Sequence, residues 1–505
     1  MDIARRKLLA GAAALGLSAP LRACGGRARP EIRPAPAPAP VAAEDALGQS
    51  DGIGLAARIN AGEISALEAA EAAIARARSL QPQLNFLAAQ TFEAARRRAR
   101  YPGAGALAGV PTLVKDLAEE RGVPCSYGSR AYAGFIPQSQ DPYVDAIYAT
   151  GLNSLGKSSV PEFGLNATTE TLLLGPTRNP WSLGHSSGGS SGGAAAAVAA
   201  GVVPIAHATD GGGSIRIPAA CCGLFGLKPS RGRTTAENSS LPLQLSVDGC
   251  LSRSVRDSAA WLGLTELRGG RFGPMGIVGG PSERRLRVLL QVRDLLGRAP
   301  DPEVAAATEA AARLLESLGH MVEEAPAPTG GEAFVAAFQL YWAAGAGQAV
   351  REARRNRPEA KPEDILEPFT LALAEQAARA SEAALDAAVV ELRKAGAAHL
   401  ALFERADILI TPVLASPPAQ LGELAPARPF AELEKALLDY VAYTPVQNVA
   451  GNPAMSVPLG QSTRGLPIGV QFTAGPGEDA LLLALAFELE QANPWIGRRP
   501  KIFAG

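Results

Sequence analysis

The sequence predicts an α/β fold in which helices cover both faces of a central, twisted, mixed and largely parallel sheet. Short apolar runs typical of strands alternate with helical stretches from residue 65 to residue 323. Residues 330–405 are rich in Ala and Glu and predict a helical insertion, after which strand-like runs resume. The chain has 505 residues, of which 47% are hydrophobic, so it can bury a large core. We therefore expect one folded domain at 46–505 that contains this insertion.

The individual elements follow from local patterns. The first predicted helix begins with a capping box, because Ser65 precedes Glu68 by three residues and an Ala-rich amphipathic run follows. Further helices are predicted at 144–150 and at 301–318, where Gly319 closes the second. Strands are predicted at 84–89, 109–115, 152–155, 202–208, 286–292, 320–323, 408–410 and 468–472.

Residues 1–24 resemble an export signal and not a part of the fold. Paired arginines and a Lys at 5–7 precede an apolar run that is too short to span a bilayer, as in twin-arginine signals. The end of this segment is similar to a lipoprotein processing box at Cys24, and cleavage after Ala23 is the alternative interpretation. The Pro- and Ala-rich residues 25–45 then form a linker. We expect an exported protein that is periplasmic or lipid-anchored at the cell envelope.

Charge and composition exclude several classes of partner. The net charge of −1 gives no indication that the protein binds nucleic acid or an anionic membrane surface. The one membrane contact that we expect is an N-terminal lipid anchor. The four His and five Cys show no metal-ligand spacing, so we expect no metal and no cofactor. The adjacent Cys221 and Cys222 are interpreted as buried small hydrophobic residues. The sequence does not indicate an oligomeric state.

The densest functional pattern covers residues 188–216, where two glycine-rich stretches are separated by an Ala-rich helix and a strand. Glycine is unfavourable inside regular elements, so such runs indicate backbone that needs a positive φ or a close approach to a ligand. Gly211, Gly212 and Gly213 come immediately before Ser214. Their N–H groups and that of Ser214 are predicted to converge as an oxyanion site beside the Ser214 hydroxyl.

Two other interpretations of these glycines remain open. A phosphate-binding loop needs Gly-Lys-Ser/Thr after its glycines, and neither stretch supplies it. Residues 188–192 also match the G-x-S-x-G elbow of α/β-hydrolases, which would make Ser190 the nucleophile of an esterase. The elbow needs a preceding strand and a partner His. Residues 179–185 are instead predicted as a loop, and His207 is expected ~20 Å from Ser214 at ~3.3 Å per residue.

Several motifs between residues 109 and 260 have a characteristic order: GVPTLVKD, GPTRNPW, GGSSGG, TDGGGSIRIPAACCGLFGLKP and RSVRDSA. With ILITPV and NVAGNPAMSVPLG they resemble the amidase signature family over residues 46–500. The resemblance implies the amidase signature fold and a catalytic triad of a Lys, a Ser after a cis peptide bond, and a nucleophilic Ser 24 residues later. Lys115, Ser190 and Ser214 occupy these positions. A closer resemblance is to members of this family that hydrolyse nylon oligomers and carbamates. It rests on the segments NPWSLG, VDGCLSRSVRDSA and PWIGRRP.

The chemistry of these residue types agrees with the implied roles. A Ser hydroxyl is a poor nucleophile without a base, and Lys becomes such a base once burial lowers its pKa from ~10.4. Only eight of the 48 basic residues are Lys, which indicates that Lys115 holds a proton that Arg could not release. Ser190 would relay the proton from Ser214 to Lys115. A structural ion pair of Lys115 with Asp116 or Asp210 is the alternative.

Five further residues are predicted to support the site. Asp210 and Arg216 form a buried pair that braces the loop. Ser191 either orients the Lys base by a hydrogen bond or caps the following helix. The resemblance places Gly164 and Asn166 at substrate-contacting positions.

The predicted acyl pocket is formed by residues 166–174 and 241–245. Both segments are mostly apolar and contain no Arg or Lys that could pair with a substrate carboxylate. The chain departs from the family pattern at Ser158-Ser159, where Thr-Asn is frequent, and at Gly211, where another residue is frequent. These departures affect the expected substrate preference and leave the triad residues in place.

The sequence therefore predicts a serine hydrolase that cleaves C–N bonds of small neutral, apolar or aryl amides and carbamates through an acyl- or carbamoyl-enzyme on Ser214. A subunit of a transamidation complex acting on aminoacyl-tRNA is a second hypothesis, which the export signal and the lack of basic bias disfavour. A catalytically inactive binding protein is a third, which the presence of all three triad residues disfavours.

Overall fold

The computed structural model describes residues 45–237, 242–326 and 330–504. The predicted export signal at 1–24 and the predicted linker up to residue 44 lie outside the described residues. The α-helices are α1 Gly52–Asn60, α2 Ala66–Leu84, α3 Phe92–Arg100, α4 Pro142–Ala149, α5 Gly192–Ala199, α6 Arg216–Cys222, α7 Val255–Thr265, α8 Pro302–Ser317, α9 Gly331–Asn356, α10 Pro362–Ile365, α11 Pro368–Arg379, α12 Glu382–Leu400, α13 Phe430–Tyr440, α14 Pro445–Ala450 and α15 Asp479–Ala492. The strands are β1 Leu87–Gln90, β2 Pro111–Lys115, β3 Asn153–Ser158, β4 Glu170–Thr171, β5 Gly175–Pro176, β6 Arg178–Asn179, β7 Ser182–Ser186, β8 Ile205–Asp210, β9 Phe225–Lys228, β10 Val247–Ser252, β11 Arg287–Leu290, β12 Met321–Glu324, β13 Ile408–Pro412, β14 Ala454–Gln461 and β15 Pro467–Ala474.

In the described residues the central sheet has eight strands in the order β12-β11-β13-β15-β14-β9-β10-β8. The prediction of an α/β fold with a mixed sheet is thereby confirmed. The prediction that the sheet is largely parallel is wrong. β11 is parallel to β12 and β13, whereas the five other pairings are antiparallel.

The antiparallel pairs arise from connections that helix–strand alternation does not reveal. β14 and β15 form a hairpin in which the Gly465 N–H donates to the Ser462 carbonyl, and Gly465 has a φ of +79°. Such tight turns join antiparallel strands, whereas parallel strands need a long crossover. β10 lies between β8 and β9 and is antiparallel to both. β9, β10 and β14 are missing from the predicted strands because Gly226 and Gly249 interrupt the apolar residues of the first two, and Ser456 and Pro458 interrupt those of β14.

Helices pack on both faces of this sheet, and the alternation along β15 shows how. Val470 and Phe472 point into a core that they share with α7, α8 and α15. Gly469 points to the opposite face, where an added Cβ would lie 2.6 Å from the Ala220 Cβ of α6. Glycine at this position therefore lets α6 approach the sheet, with Arg216 at the start of that helix.

A smaller sheet, in the order β1-β3-β2, carries the strand that ends on Lys115. β2 is parallel to β3, and Thr112 Oγ1 on β2 donates to the Ile205 carbonyl of β8 at 2.9 Å. β2 therefore lies against β8, and the carboxyl end of β2 is next to the carboxyl end of β8.

The helical parts follow the sequence prediction. α2 begins at the capping box of Ser65 and Glu68, with both hydrogen bonds of that motif present. α9 to α12 occupy the predicted insertion between β12 and β13. Within the described ranges, no helix combines the length and the apolar character that crossing a membrane requires.

Candidate active site

The carboxyl end of β8 presents side chains to two opposite faces. Alternation along the strand places His207 and Thr209 on the face toward β2, and Asp210 on the other face. Lys115 Nζ, at the end of β2, donates to Thr209 Oγ1 and to Ser190 Oγ, each at 2.8 Å. The structure therefore brings the predicted base and the predicted relay into contact, although they are 75 residues apart.

Lys115 is completely buried, and its hydrogen-bond partners are uncharged. Burial lowers the pKa of Lys115 to about 7, although the charges of Asp210 and Asp248 act in the opposite direction. In the described part of the chain Lys115 forms no ion pair with Asp116 or Asp210, so the alternative of a structural pair lacks support. Near neutral pH a substantial fraction of this amine is therefore able to accept a proton.

The backbone around Ser190 is tightly packed. The peptide bond between Gly189 and Ser190 is cis, in agreement with the resemblance. An added Cβ at Gly189 would lie 2.7 Å from the Asn166 carbonyl oxygen, and one at Gly164 would lie 3.2 Å from Ser190 Oγ. Gly164 has a φ of +71°. The two predicted substrate-contacting residues thus lie against the loop that carries Ser190, and the Asn166 amide donates to the Leu424 carbonyl at 2.8 Å.

Asp210 and Arg216 form the buried ion pair that the sequence predicts, with 2.8 Å between Asp210 Oδ1 and Arg216 Nη2. Burial alone would raise the pKa of Asp210, but the Arg216 guanidinium holds it well below its usual range. The other Arg216 donors reach the side-chain oxygens of Gln447, Gln471 and Asn448. Because its polar groups are satisfied, this pair fixes the turn between β8 and α6.

The predicted oxyanion site needs one correction, at Gly213. The Gly213 N–H donates to Asp210 Oδ1 at 2.8 Å, because the buried carboxylate takes its hydrogen bonds from the turn that it braces. The N–H groups of Gly212 and Ser214 make no hydrogen bond to the described residues. Gly213 is therefore not a free donor, and Gly211, Gly212 and Ser214 are left to supply the site.

Gly213 is needed for its conformation, and Gly213→Ala is expected to lower kcat/KM at least ~100-fold. Its φ is +129°, and an added methyl would overlap Thr444 Oγ1 and lie 2.7 Å from Ile217 Cδ1. Gly211→Ala is the matched control, since its Cβ would lie 3.7 Å from the nearest atom, on Ser246, an ordinary contact. We expect this control to stay within ~3-fold of wild type. Anilide hydrolysis and thermal unfolding measure both variants, and equal activities would contradict this role of the turn.

Ser191 takes neither of its two predicted roles. It is the N-cap residue of α5, but its φ and ψ of −90° and 39° are not the extended conformation that a capping side chain needs, and no capping hydrogen bond forms. Ser191 Oγ instead donates to the Thr209 carbonyl at 3.4 Å. Lys115 Nζ lies 3.3 Å from the same oxygen, so Ser191 is connected to Lys115 only through Thr209.

Ser214 follows the glycine run and lines a cavity, and 8% of its surface is exposed. Its Oγ makes no hydrogen bond to any residue that the structure describes, and none connects it to Ser190. Hydrogen bonds between catalytic groups often form only when substrate binds. The predicted contact between Lys115 and Ser190 is therefore present in the structure, and the predicted contact between Ser190 and Ser214 stays a prediction.

The cavity at Ser214 has a volume of about 230 Å³, and α9, α11 and α13 supply much of its wall. On α9 the rings of Phe334, Phe338 and Trp342 stack in order, with centroid distances of 6.0 and 5.6 Å. An added Cβ at Gly212 would lie 3.5 Å from Phe338 Cζ and 3.7 Å from Trp342 Cζ3. The helical insertion therefore places an aromatic wall opposite residues 211–214, the glycine turn between β8 and α6.

The predicted walls of the pocket are partly wrong. Of residues 166–174 only Asn166 and Ala167 line the cavity, and residues 242–245 do not line it. Leu241 lies outside the described residues. The walls come from helices that are distant in sequence, and no local pattern indicates such a contact.

The cavity also contains two cations that the sequence prediction excludes, Arg298 and Lys435. Arg298 pairs with Asp294 at 2.7 Å and with Asp439 at 2.6 Å, and Lys435 pairs with Asp439 at 2.6 Å. Both cations are therefore already neutralised by the protein's own carboxylates.

The structure gives the elbow alternative no support. The segment predicted as a loop contains β6 and β7, but these pair with each other and, through an isolated bridge of His185, with Gln420, outside the central sheet. Ser190 Oγ is bonded to Lys115, and within the described residues it has no hydrogen bond to a His. His207 Nδ1 instead accepts the Lys115 backbone N–H.

Metal ligands were not expected from the sequence. In residues 45–237, 242–326 and 330–504 no group of three or more His, Cys, Asp or Glu could hold a metal ion. The absence of a metal and of a cofactor stays a prediction. Cys221 and Cys222 are buried free thiols, in agreement with their interpretation as small hydrophobic residues.

Comparisons with known proteins agree with this site. The family profile named Amidase matches residues 68–483. The chain is 43% identical to the "Putative amidase AmiC" of Mycobacterium tuberculosis, over 90% of this chain and 96% of that protein. It is 36% identical to the 6-aminohexanoate-cyclic-dimer hydrolase of Paenarthrobacter ureafaciens, over 88% of this chain and 95% of that protein.

A solved structure of a 6-aminohexanoate cyclic dimer hydrolase complexed with substrate superposes with a TM-score of 0.84. It is 34% identical and covers 90% of this chain and 99% of that one. The protein belongs to the amidase signature family. It is a hydrolase that acts on carbon–nitrogen bonds.

Proposed function

We propose that this enzyme hydrolyses neutral, apolar or aryl amides and carbamates through an acyl- or carbamoyl-enzyme on Ser214. The observation that carries the proposal is the 2.8 Å contact of Lys115 Nζ with Ser190 Oγ, next to the cavity that Ser214 lines. Burial lowers the pKa of Lys115 to about 7, which suits a general base that works near neutral pH.

The arrangement supports a proton relay in which Ser214 Oγ attacks the substrate carbonyl carbon. The Ser214 proton passes to Ser190 Oγ while the Ser190 proton passes to Lys115 Nζ. The oxyanion accepts hydrogen bonds from the N–H groups of Gly211, Gly212 and Ser214. The Lys115 ammonium then returns its proton through Ser190 to the leaving group. This is the amine nitrogen when the C–N bond of an amide breaks and an acyl-enzyme forms, and the alcohol oxygen when the C–O bond of a carbamate breaks and a carbamoyl-enzyme forms. Water attacks the acylated Ser214 by the same relay and releases the acid.

The cavity argues for apolar and aryl substrates. The stacked rings of Phe334, Phe338 and Trp342 offer flat apolar surface beside the reactive turn, and apolar burial is the main source of affinity in such pockets. The two cations in the wall are ion-paired, so a substrate carboxylate finds no free partner there. A carbamate presents the same carbonyl group to the glycine turn as an amide does.

The test compares kcat/KM for an acyl anilide, an aryl carbamate and a dicarboxylic monoamide. We expect the monoamide to be at least ~10-fold poorer than both neutral substrates, because its carboxylate would lose hydration without gaining an ion pair. Trp342→Leu is expected to raise KM for the anilide more than for an aliphatic amide. A monoamide that is ten times better than the anilide would contradict the apolar-pocket argument.

We further propose that the chain is exported and that the enzyme is periplasmic or lipid-anchored at the cell envelope. This proposal rests on the sequence of residues 1–24, which lie outside the described residues. No observation in the structure favours a role in a transamidation complex or an inactive binding role.

A further inference from the structure

A second polar unit lies directly behind Lys115. His207 on β8 accepts the Lys115 backbone N–H at Nδ1, at 3.2 Å, and its Nε2 lies 3.1 Å from Asp248 Oδ1 on β10. The His207 side chain is fully buried, with a ring parallel to Trp261 at 6.5 Å and a tilted contact with Tyr143 at 5.5 Å. The ring is therefore packed against two aromatic side chains and held at both nitrogens.

The donors fix the tautomer of His207. A backbone N–H can only donate, so Nδ1 must carry the lone pair and the proton must be on Nε2. That proton is donated to Asp248 Oδ1, while Asp248 Oδ2 accepts from Thr235 Oγ1 at 2.6 Å. A His207 protonated at Nδ1 would face the Lys115 N–H with a second N–H and would break this hydrogen bond.

The charge of Asp248 also acts on the Lys115 amine. In the sheet Asp248 is paired with Thr209, so the side chains of these two residues are on the same face. The Thr209 hydroxyl oxygen accepts a hydrogen bond from the Lys115 amine. Asp248 and Asp210 are the two charged groups that raise the pKa of Lys115 against the larger effect of burial. The amine of Lys157 on β3 donates to the Ala118 carbonyl and not to Asp248.

We propose that His207 and Asp248 are positioning residues for the base of the proposed relay. His207 holds the main chain at the end of β2, which sets where the Lys115 amine meets Ser190. Asp248 holds the His207 tautomer and keeps the amine basic enough to accept the Ser190 proton. This inference rests on the proposed function of Lys115.

The chain contains a matched control for this unit. His320 Nδ1 accepts the Leu286 backbone N–H at 3.0 Å, and His320 Nε2 lies 3.0 Å from Glu488 Oε2. His320 is also fully buried, and it precedes β12, at the opposite edge of the sheet from β8. Substitutions in this second unit remove the same kinds of contact without touching the active site.

The experiment measures kcat, KM and the pH dependence of kcat/KM for a chromogenic anilide, together with thermal unfolding. His207→Ala is expected to lower kcat ~10- to 100-fold with KM within ~3-fold, because the base is displaced. His207→Asn restores most of this loss, since an amide oxygen near the Nδ1 position accepts the same backbone N–H. His320→Ala is expected to lower the unfolding temperature to a similar extent and to leave kcat unchanged.

Asp248→Asn separates charge from hydrogen bonding, because the amide oxygen still accepts from Nε2 of His207. Removing the negative charge lowers the pKa of Lys115, so the acid limb of kcat/KM is expected to move to lower pH by about one unit. Glu488→Gln is expected to leave that limb in place. The limb also persists in His207→Asn, because it belongs to the titration of Lys115.

Two outcomes would overturn the inference. One is an Asp248→Asn profile whose acid limb coincides with that of wild type. The other is a His207→Ala variant that loses thermal stability like His320→Ala while its kcat is unchanged. A failure of the proposed function is a different result, since wild-type enzyme would then show no acid limb near the pKa of Lys115, or Lys115 variants would remain active.

Discussion

Ser214→Ala is expected to abolish turnover, with kcat falling at least ~10⁴-fold, while the protein folds normally. The hydroxyl makes no hydrogen bond to the described residues, so its removal costs the fold little. It lines the cavity at the end of the glycine turn, where an attacking oxygen would meet the carbonyl carbon of a bound substrate. Hydrolysis of an anilide measures the loss, and thermal unfolding shows that the fold is kept.

A covalent label distinguishes the two serines. A fluorophosphonate is expected to modify Ser214 alone, because Ser190 Oγ is hydrogen-bonded to the Lys115 amine. Ser246→Ala, an exposed residue beside the turn, is the control that keeps full activity and labelling. Labelling of Ser190 with Ser214 unmodified would favour the elbow mechanism over the one proposed here.

Much of the candidate site could be predicted because its residues lie in contiguous stretches of the sequence. The glycine turn after β8 places Asp210 and Ser214 by local geometry, whereas no sequence pattern predicts the contact that Thr209 makes with Lys115. The pairing of Asp210 with Arg216 follows in the same way, since a helix start lies six residues beyond a strand end. The resemblance assigns the base to Lys115 at the end of a predicted strand, although its contact with Ser190 depends on the packing of β2 against the loop before α5.

Other features depend on tertiary packing and have no local pattern. Phe338 and Trp342 look like ordinary core positions of an Ala-rich helix until α9 packs over the glycine turn. The Gly213 N–H is engaged only because Asp210 must be satisfied inside the protein. His207 has the spacing that places it beside Thr209, but its contact with the Lys115 backbone requires β2 to lie against β8. The direction of each strand depends on turns that alternation of helices and strands does not reveal.

Lys115→Arg is expected to be nearly as inactive as Lys115→Ala, with kcat/KM lowered ~10²- to 10⁴-fold in both. Arg keeps a positive charge but cannot become neutral, so it cannot accept the Ser190 proton. In the proposed relay the wild-type amine accepts the proton only when it is neutral. Burial lowers its pKa to about 7, so kcat/KM is expected to rise with pH through that value and to level off above it.

The pH profile and two further variants make this prediction decisive. Lys115→Met keeps an unbranched side chain of similar length in the buried site and lacks any base, so its activity is expected to match that of Lys115→Ala. Lys394→Arg changes an exposed Lys and is expected to leave kcat/KM and its pH profile unchanged. Thermal unfolding of each variant separates loss of the base from loss of the fold. A folded Lys115→Arg enzyme with more than about a tenth of wild-type activity would rule out the relay, because no deprotonated amine would then be required.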